Sequence, residues 1–302
     1  MLCLFQNSSV MEEQMSNKKK LKELTIRDNF MFAAVMMQGD NCKHFLEMLL
    51  KIEIERIEIS YEKSIIYNPE CKGVRLDVFA KDENNTCYDI EMQVETEHLG
   101  KRTRYYHSHM DMELLGSGSD YELLPGSYVI FICDFDPFGE EKYCYTFENR
   151  CLENLELGLG DESRSIFLST KGKNFKEIPE ELEQFLEFVR KDTASNNMET
   201  TDAYVKQLQD TIRNIKESRE MECRYQFAGD MLVREYKRGK SEGKLETKRN
   251  DILELVEELG TISHFTYERI ISEDRTDVLK IMHKAAAKAD SLEQFEKEIS
   301  NL

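Results

Sequence analysis

The stretch VRLDVFAKDENNTCYDIEMQVE, residues 74–95, holds two alternating runs on either side of a turn. In the first, Val74, Leu76, Val78 and Ala80 share one face and Arg75, Asp77 and Phe79 the other, the two-residue period of a strand. In the second, Ile90, Met92 and Val94 alternate with Asp89, Glu91, Gln93 and Glu95. The linking KDENNT suits a hairpin, because asparagine tolerates the positive φ that tight turns demand. With Glu83 to Asn85 as a three-residue loop centred on Asn84, Asp77 stands across from Glu91. Facing Cβ atoms in such a pair lie about 4.5–5.5 Å apart. A slip of one residue would set Asp77 against Met92 and mix the faces, which the alternation forbids.

Working outward, TIRDNFMFAAVMMQGDNCKHFLEMLLKI (25–52) predicts two helices divided near Gly39, Asp40 and Asn41. IERIEIS (54–60) predicts a strand before the hairpin. Residues 98–115 carry Leu99, Tyr106, Met110 and Leu114 at helical spacing. The nearly continuous apolar run SYVIFICDF (127–135) predicts a strand covered on both faces. The order is α, β, β, β, α, β. Tyr143, Tyr145 and Phe147 then alternate, and SIFLS (165–169) reads as one more short strand. Beyond Lys173 the chain becomes charged and helical, so the expected organisation is a mobile leader at 1–20, an α/β domain at 21–173 and a helical region at 174–302. A break is expected near 239–243, where Gly239 and Gly243 interrupt KRGKSEGK (237–244), and the last helices suit a partner protein or a second copy.

The 302 residues carry 41 Lys+Arg against 59 Asp+Glu, a net charge of −18, and the acidic excess falls on both sides of residue 173. Binding to nucleic acid through bulk charge is thereby excluded, and contact with DNA requires a local basic patch or a bound cation. The eight cysteines form no CxxC pair and read as reduced thiols, with Cys87 and Cys133 in apolar runs as small core residues. No segment approaches the roughly 18 apolar residues of a membrane span. A cytoplasmic protein is expected.

Two carboxylates side by side on neighbouring strands repel unless a cation sits between them, which marks Asp77 and Glu91 as site candidates. Their hard oxygens, with the backbone carbonyl of Met92, suit Mg²⁺, and Gln93 would orient a water or a phosphate. On the following helix Lys101, Arg102 and Arg104 cluster with Tyr105 and Tyr106, a place where cations interrupt the acidic background. These residues could grip phosphates while a ring supports a base. The alternative is that Arg102 pairs with a nearby carboxylate and Tyr106 belongs to the core. His98, His107 and His109 read as surface residues, with His107 a further candidate for contacting DNA.

Five blocks together resemble the PD-(D/E)XK nucleases: LTIRDNFMFAAVM (24–36), VRLDVFAKDE (74–83), YDIEMQVE (88–95), KRTRYYHSHMDMELLGSGSDYELL (101–124) and SYVIFICDFDPFG (127–139). More narrowly they resemble the PD-(D/E)XK nuclease family transposases, a branch that includes the recombination-promoting nucleases called Rpn. The resemblance implies a restriction-endonuclease-like αβββαβ core and a DNA endonuclease dependent on Mg²⁺ or Mn²⁺. It implies Asp77 and Glu91 as metal ligands and puts Gln93 where the family name has lysine, which removes the usual cationic helper. Asp28 matches an acidic first-helix position that supports the metal site in such nucleases, and it also reads as a helix-start carboxylate near the dipole. A nuclease-like fold that binds DNA or protein without cutting is the alternative reading.

Overall fold

In the computed structural model, residues 19–65, 74–192, 199–300 and 302 are described. The expected leader lies outside them except for its last two residues. The chain divides into two compact units, residues 1–223 and 224–302.

The first unit is built on a six-stranded sheet of order β1-β2-β3-β4-β6-β5. Its strands are β1 (Ile57–Ile65), β2 (Val74–Asp82), β3 (Cys87–Gln93), β4 (Ser127–Cys133), β5 (Cys144–Phe147) and β6 (Ser163–Ser169). β1, β2 and β3 form an antiparallel meander, whereas β3, β4 and β6 run parallel and β5 closes the far edge antiparallel. Parallel neighbours need a crossover, and α3 (Leu99–Leu114) supplies it between β3 and β4.

The β2–β3 hairpin adopts the expected register, with Val78 facing Ile90 and Phe79 facing Asp89. Its loop is the three-residue form: the Asp82 N–H donates to the Thr86 carbonyl, and Asn85 takes φ 65°. Asparagine accepts that left-handed conformation at low cost. β3 and β4 sit at the centre of the sheet, and every residue of β3 is buried. The apolar run of β4 follows from this, since Val129 to Cys133 are fully enclosed.

On one face of the sheet α1 (Asn29–Met36) contacts β2, with Met31 to Met36 all buried. Gly39, at φ 53°, turns the chain from α1 into α2 (Asn41–Leu50). The two following helices, α4 (Glu180–Lys191) and α5 (Ala203–Glu217), fold back onto this layer. Phe185 meets Phe45 at a ring separation of 5.2 Å, and the buried Tyr204 stacks on His44 and donates its hydroxyl proton to the Asn41 carbonyl at 2.8 Å. Burying each such ring stabilises by about 1.5–3 kcal/mol. The first compact unit therefore extends past the composition change at Lys173 and takes in α4 and α5: their charged residues form only the outer face of amphipathic helices.

The second unit holds most of α6 (Arg219–Leu259), with α7 (His264–Ile271), α8 (Thr276–Ala286) and α9 (Leu292–Ile299). Its core gathers Ile252, Val256, Ile270, Leu279, Met282 and Phe295. The break expected at 239–243 is absent, for α6 continues through Gly239 and Gly243. A glycine weakens a helix by about 1 kcal/mol relative to alanine without ending it. Among the described residues no helix is long and apolar enough to cross a membrane.

Candidate active site

The hairpin register puts Asp77 and Glu91 on one face, one step beyond the paired Val78 and Ile90. There the Asp77 backbone N–H donates to Glu91 Oε1 at 2.9 Å. Asp89 and Gln93 share that face of β3 by the alternation, so the hairpin gathers three carboxyls and an amide. It is not a solvated face. Asp77, Asp89, Glu91 and Gln93 are only 7%, 0%, 1% and 9% exposed, because α3 lies over this side with Leu99, Tyr106 and Met110 in a common core with Phe79, Phe131 and Phe167.

Arg102 of α3 reaches into the cluster. Its Nη2 donates to Glu91 Oε2 at 2.7 Å and its Nη1 to Gln93 Oε1 at 3.1 Å, while Nε donates to the Tyr106 hydroxyl at 2.8 Å. The guanidinium lies 5.0 Å from the Tyr106 ring centroid and 5.4 Å from that of Phe131. Gln93 turns its other end to the Glu95 carbonyl at 2.8 Å. Arg102 thus points inward and pairs with a carboxylate, the second of its two expected arrangements, while Lys101 and Arg104 are exposed. The spacing carried this signal: Leu99, Arg102 and Tyr106 follow a three-then-four step down one flank of the helix. Tyr105 is 36% exposed, beside His109 at 4.5 Å.

Burial of negative charge sets the electrostatics. Glu91 is pushed up to about 7 by desolvation and then by the Asp77 charge, against the opposing pull of the Asp77 N–H and Arg102. Asp89 is raised well above the usual carboxylate range by burial, with Glu91 and Asp77 adding to it. Among the described residues neither Asp89 oxygen meets a donor; its carboxyl acts on that of Glu91, so the pair holds a proton close to neutral pH. Asp89 is the member of the cluster that alternation alone did not single out. Arg102 sets its guanidinium against this crowd of carboxyls.

This donor set fits a hard divalent cation. Asp77 and Glu91 with the Met92 carbonyl would provide oxygen ligands only, which is Mg²⁺ or Mn²⁺ chemistry rather than zinc chemistry. Among the described residues no group of three or more His, Cys, Asp or Glu side chains is arranged to hold an ion, so the main-chain carbonyl and waters would complete the shell.

Asp28 makes its contacts elsewhere. It holds the N-cap position of α1 without a side-chain capping bond; its carboxylate turns back to accept from the Thr25 N–H at 2.7 Å, the Thr25 hydroxyl at 3.0 Å and Lys19 at 2.8 Å. Of the three histidines expected at the surface, only His98 is exposed. His109 is buried, and His107 is held between Ser127 and Ser165, because α3 lies across the sheet and its inner flank carries both.

No curated protein and no solved structure matches the chain. A family model does: that of the PD-(D/E)XK nuclease family transposases, over residues 27–233. The match takes in the sheet, the carboxyl cluster, α3 and both helices that return onto α1 and α2. With its mixed sheet in a restriction-endonuclease-like arrangement, the chain belongs to the PD-(D/E)XK nuclease family transposases.

Proposed function

We propose that the protein is a divalent-metal-dependent endonuclease that hydrolyses phosphodiester bonds in DNA, in a cytoplasmic setting and related in role to the recombination-promoting nucleases. The observation that carries this reading is the crowding of Asp77, Glu91 and Asp89 on one buried face, where burial and the neighbouring negative charge raise both Glu91 and Asp89. Three buried carboxyls side by side are costly unless cationic charge is shared among them. Asp77, Glu91 and the Met92 carbonyl would hold Mg²⁺ or Mn²⁺. When bound, such an ion lowers the pKa of a water and offsets charge on a phosphate.

The chain's own groups do the rest. Gln93 orients a water or the scissile phosphate through the amide end now turned to Glu95. Arg102 takes the place of the missing lysine: its guanidinium already touches both Glu91 and Gln93, and its side chain is 31% exposed, so it can follow the phosphate without leaving the site. Lys101, Arg104 and Tyr105 line the exposed flank of α3 and would hold the DNA backbone. Asp28 remains a proposed supporting carboxylate at the start of α1. Residues 224–302 would provide contacts to a partner protein or a second copy.

Nicking of supercoiled plasmid with Mg²⁺ or Mn²⁺ tests this. The native protein nicks and Asp77→Ala loses at least about a hundredfold in rate, the scale on which removal of a metal ligand or its support acts. No cleavage with either ion would refute the reading in favour of a fold that binds without cutting. Unchanged cleavage by the variant would refute the assignment of the site.

A further inference from the structure

A concavity of about 510 Å³ opens on the flank of α3 opposite Arg102, between that helix and the β5–β6 edge. Its size falls within the roughly 300–1,000 Å³ of ligand sites. Phe138, Phe147 and Phe167 line it. Phe138 and Phe147 stand edge-on to Phe167 at 5.1 and 5.7 Å and 5.0 Å from each other. Phe138 and Phe147 remain 42% and 47% exposed, so ring surface is left open to the cavity mouth.

The polar groups are uncharged at its inner wall. His107 Nδ1 lies 2.9 Å from the Ser127 hydroxyl and Nε2 lies 3.1 Å from that of Ser165, with the Ser163 hydroxyl 3.3 Å from Nδ1. Desolvation pushes this histidine down to about 4, so the imidazole is neutral and pairs with hydroxyls. Glu148, also in the lining, is committed to Arg150 and Arg164. Arg104 stands exposed at the edge. Stacking surface, neutral hydrogen-bonding groups and one peripheral cation match a heterocyclic base whose phosphate stays outside. An acidic or a purely aliphatic ligand would leave half of these features unused.

The cavity floor packs against the same aromatic layer as the carboxyl cluster. Phe167 at its floor stacks on Phe131 at 5.6 Å and 7°, and Arg102 lies over Phe131 on the way to Glu91. We propose that this cavity receives a single unpaired nucleobase of the DNA strand held at the carboxyl cluster, stacked against Phe138 and Phe147. The inference rests on the endonuclease reading above and deepens it: the preferred substrate is DNA with an extruded or unpaired base, since a base inside a duplex cannot enter.

The test uses the full chain with Ca²⁺, which neutralises the carboxylates while its looser coordination serves binding. Fluorescence anisotropy compares a fully paired duplex with the same duplex carrying one unpaired 2-aminopurine. The native protein prefers the bulged duplex by about tenfold, the lower part of the range for stacking one base on an aromatic side chain, and the 2-aminopurine emission is quenched on binding. Phe138→Ala/Phe147→Ala removes the preference and the quench and leaves paired-duplex affinity unchanged; both rings are exposed enough for the fold to tolerate their loss. Equal affinity of the native protein for the two duplexes, or a preference that survives the double substitution, overturns the base pocket while leaving the endonuclease reading intact. Absence of binding to either duplex overturns both.

Discussion

Replacing Glu91 by glutamine tests whether the carboxyl cluster is as electrostatically crowded as its geometry implies. Glutamine keeps the volume and an oxygen for the Asp77 N–H, and it removes the titration. Glu91 is raised from 4.5 to about 7, principally by burial. In the pH interval between these values the folded protein holds a proton that the unfolded chain releases, so stability falls as pH rises and levels off above about 7. A shift of that size corresponds to about 3 kcal/mol, at about 1.4 kcal/mol per unit. Roughly 2 kcal/mol of it falls between about pH 5.5 and 7. Asp89 titrates with Glu91, so the measured midpoint belongs to the pair. The chain has no tryptophan, and urea unfolding is best followed by far-UV circular dichroism from about pH 5.5 to 8.5. The stability of the native protein minus that of Glu91→Gln should decline by about 2 kcal/mol up to neutrality and then stay level. A difference that is flat throughout, or that rises with pH, would show that Glu91 is solvated or fully compensated and would remove the physical ground for a cation at this site.

Arg102→Met keeps a stem against Tyr106 and Phe131 but takes the charge from Glu91; it should cost about 2 kcal/mol at pH 8 and much less at pH 5.5, where Glu91 holds its proton. Equal costs at the two pH values, measured by urea titration, would contradict the pairing. Phe131→Ala removes a fully buried ring that stacks on Phe167, with an expected loss of about 3–5 kcal/mol seen as a lower denaturation midpoint; a loss under about 1 kcal/mol would mean that β4 is not central. At Gly239 and Gly243 an added methyl meets nothing within 4 Å, so alanine at each should stabilise α6 by about 0.5–1 kcal/mol and raise its helical signal on heating. Destabilisation at either position would restore the break first expected there.

The hairpin was legible from local rules. Alternation assigns side chains to faces, the Glu83–Asn85 loop sets the register, and together they put Asp77 beside Glu91 before any packing is known. The helix over 99–114 and the enclosed strand over 127–133 followed from period and composition in the same way.

Burial of the carboxyl face was not legible. A period of two says which residues share a side, and charged residues on that side ordinarily meet water; the cover comes from α3, whose place over the sheet is set by the parallel pairing of β3 with β4. The same crossing turns Arg102 inward, buries His109 and holds His107 against Ser127 and Ser165, contacts spanning residues far apart in the chain. The extent of the first unit likewise depends on Phe185 and Tyr204 meeting Phe45 and His44. A helix's own pattern shows that it has an apolar stripe but not which neighbour the stripe covers, and that partner is chosen when long-range burial outweighs the entropy of closing the chain.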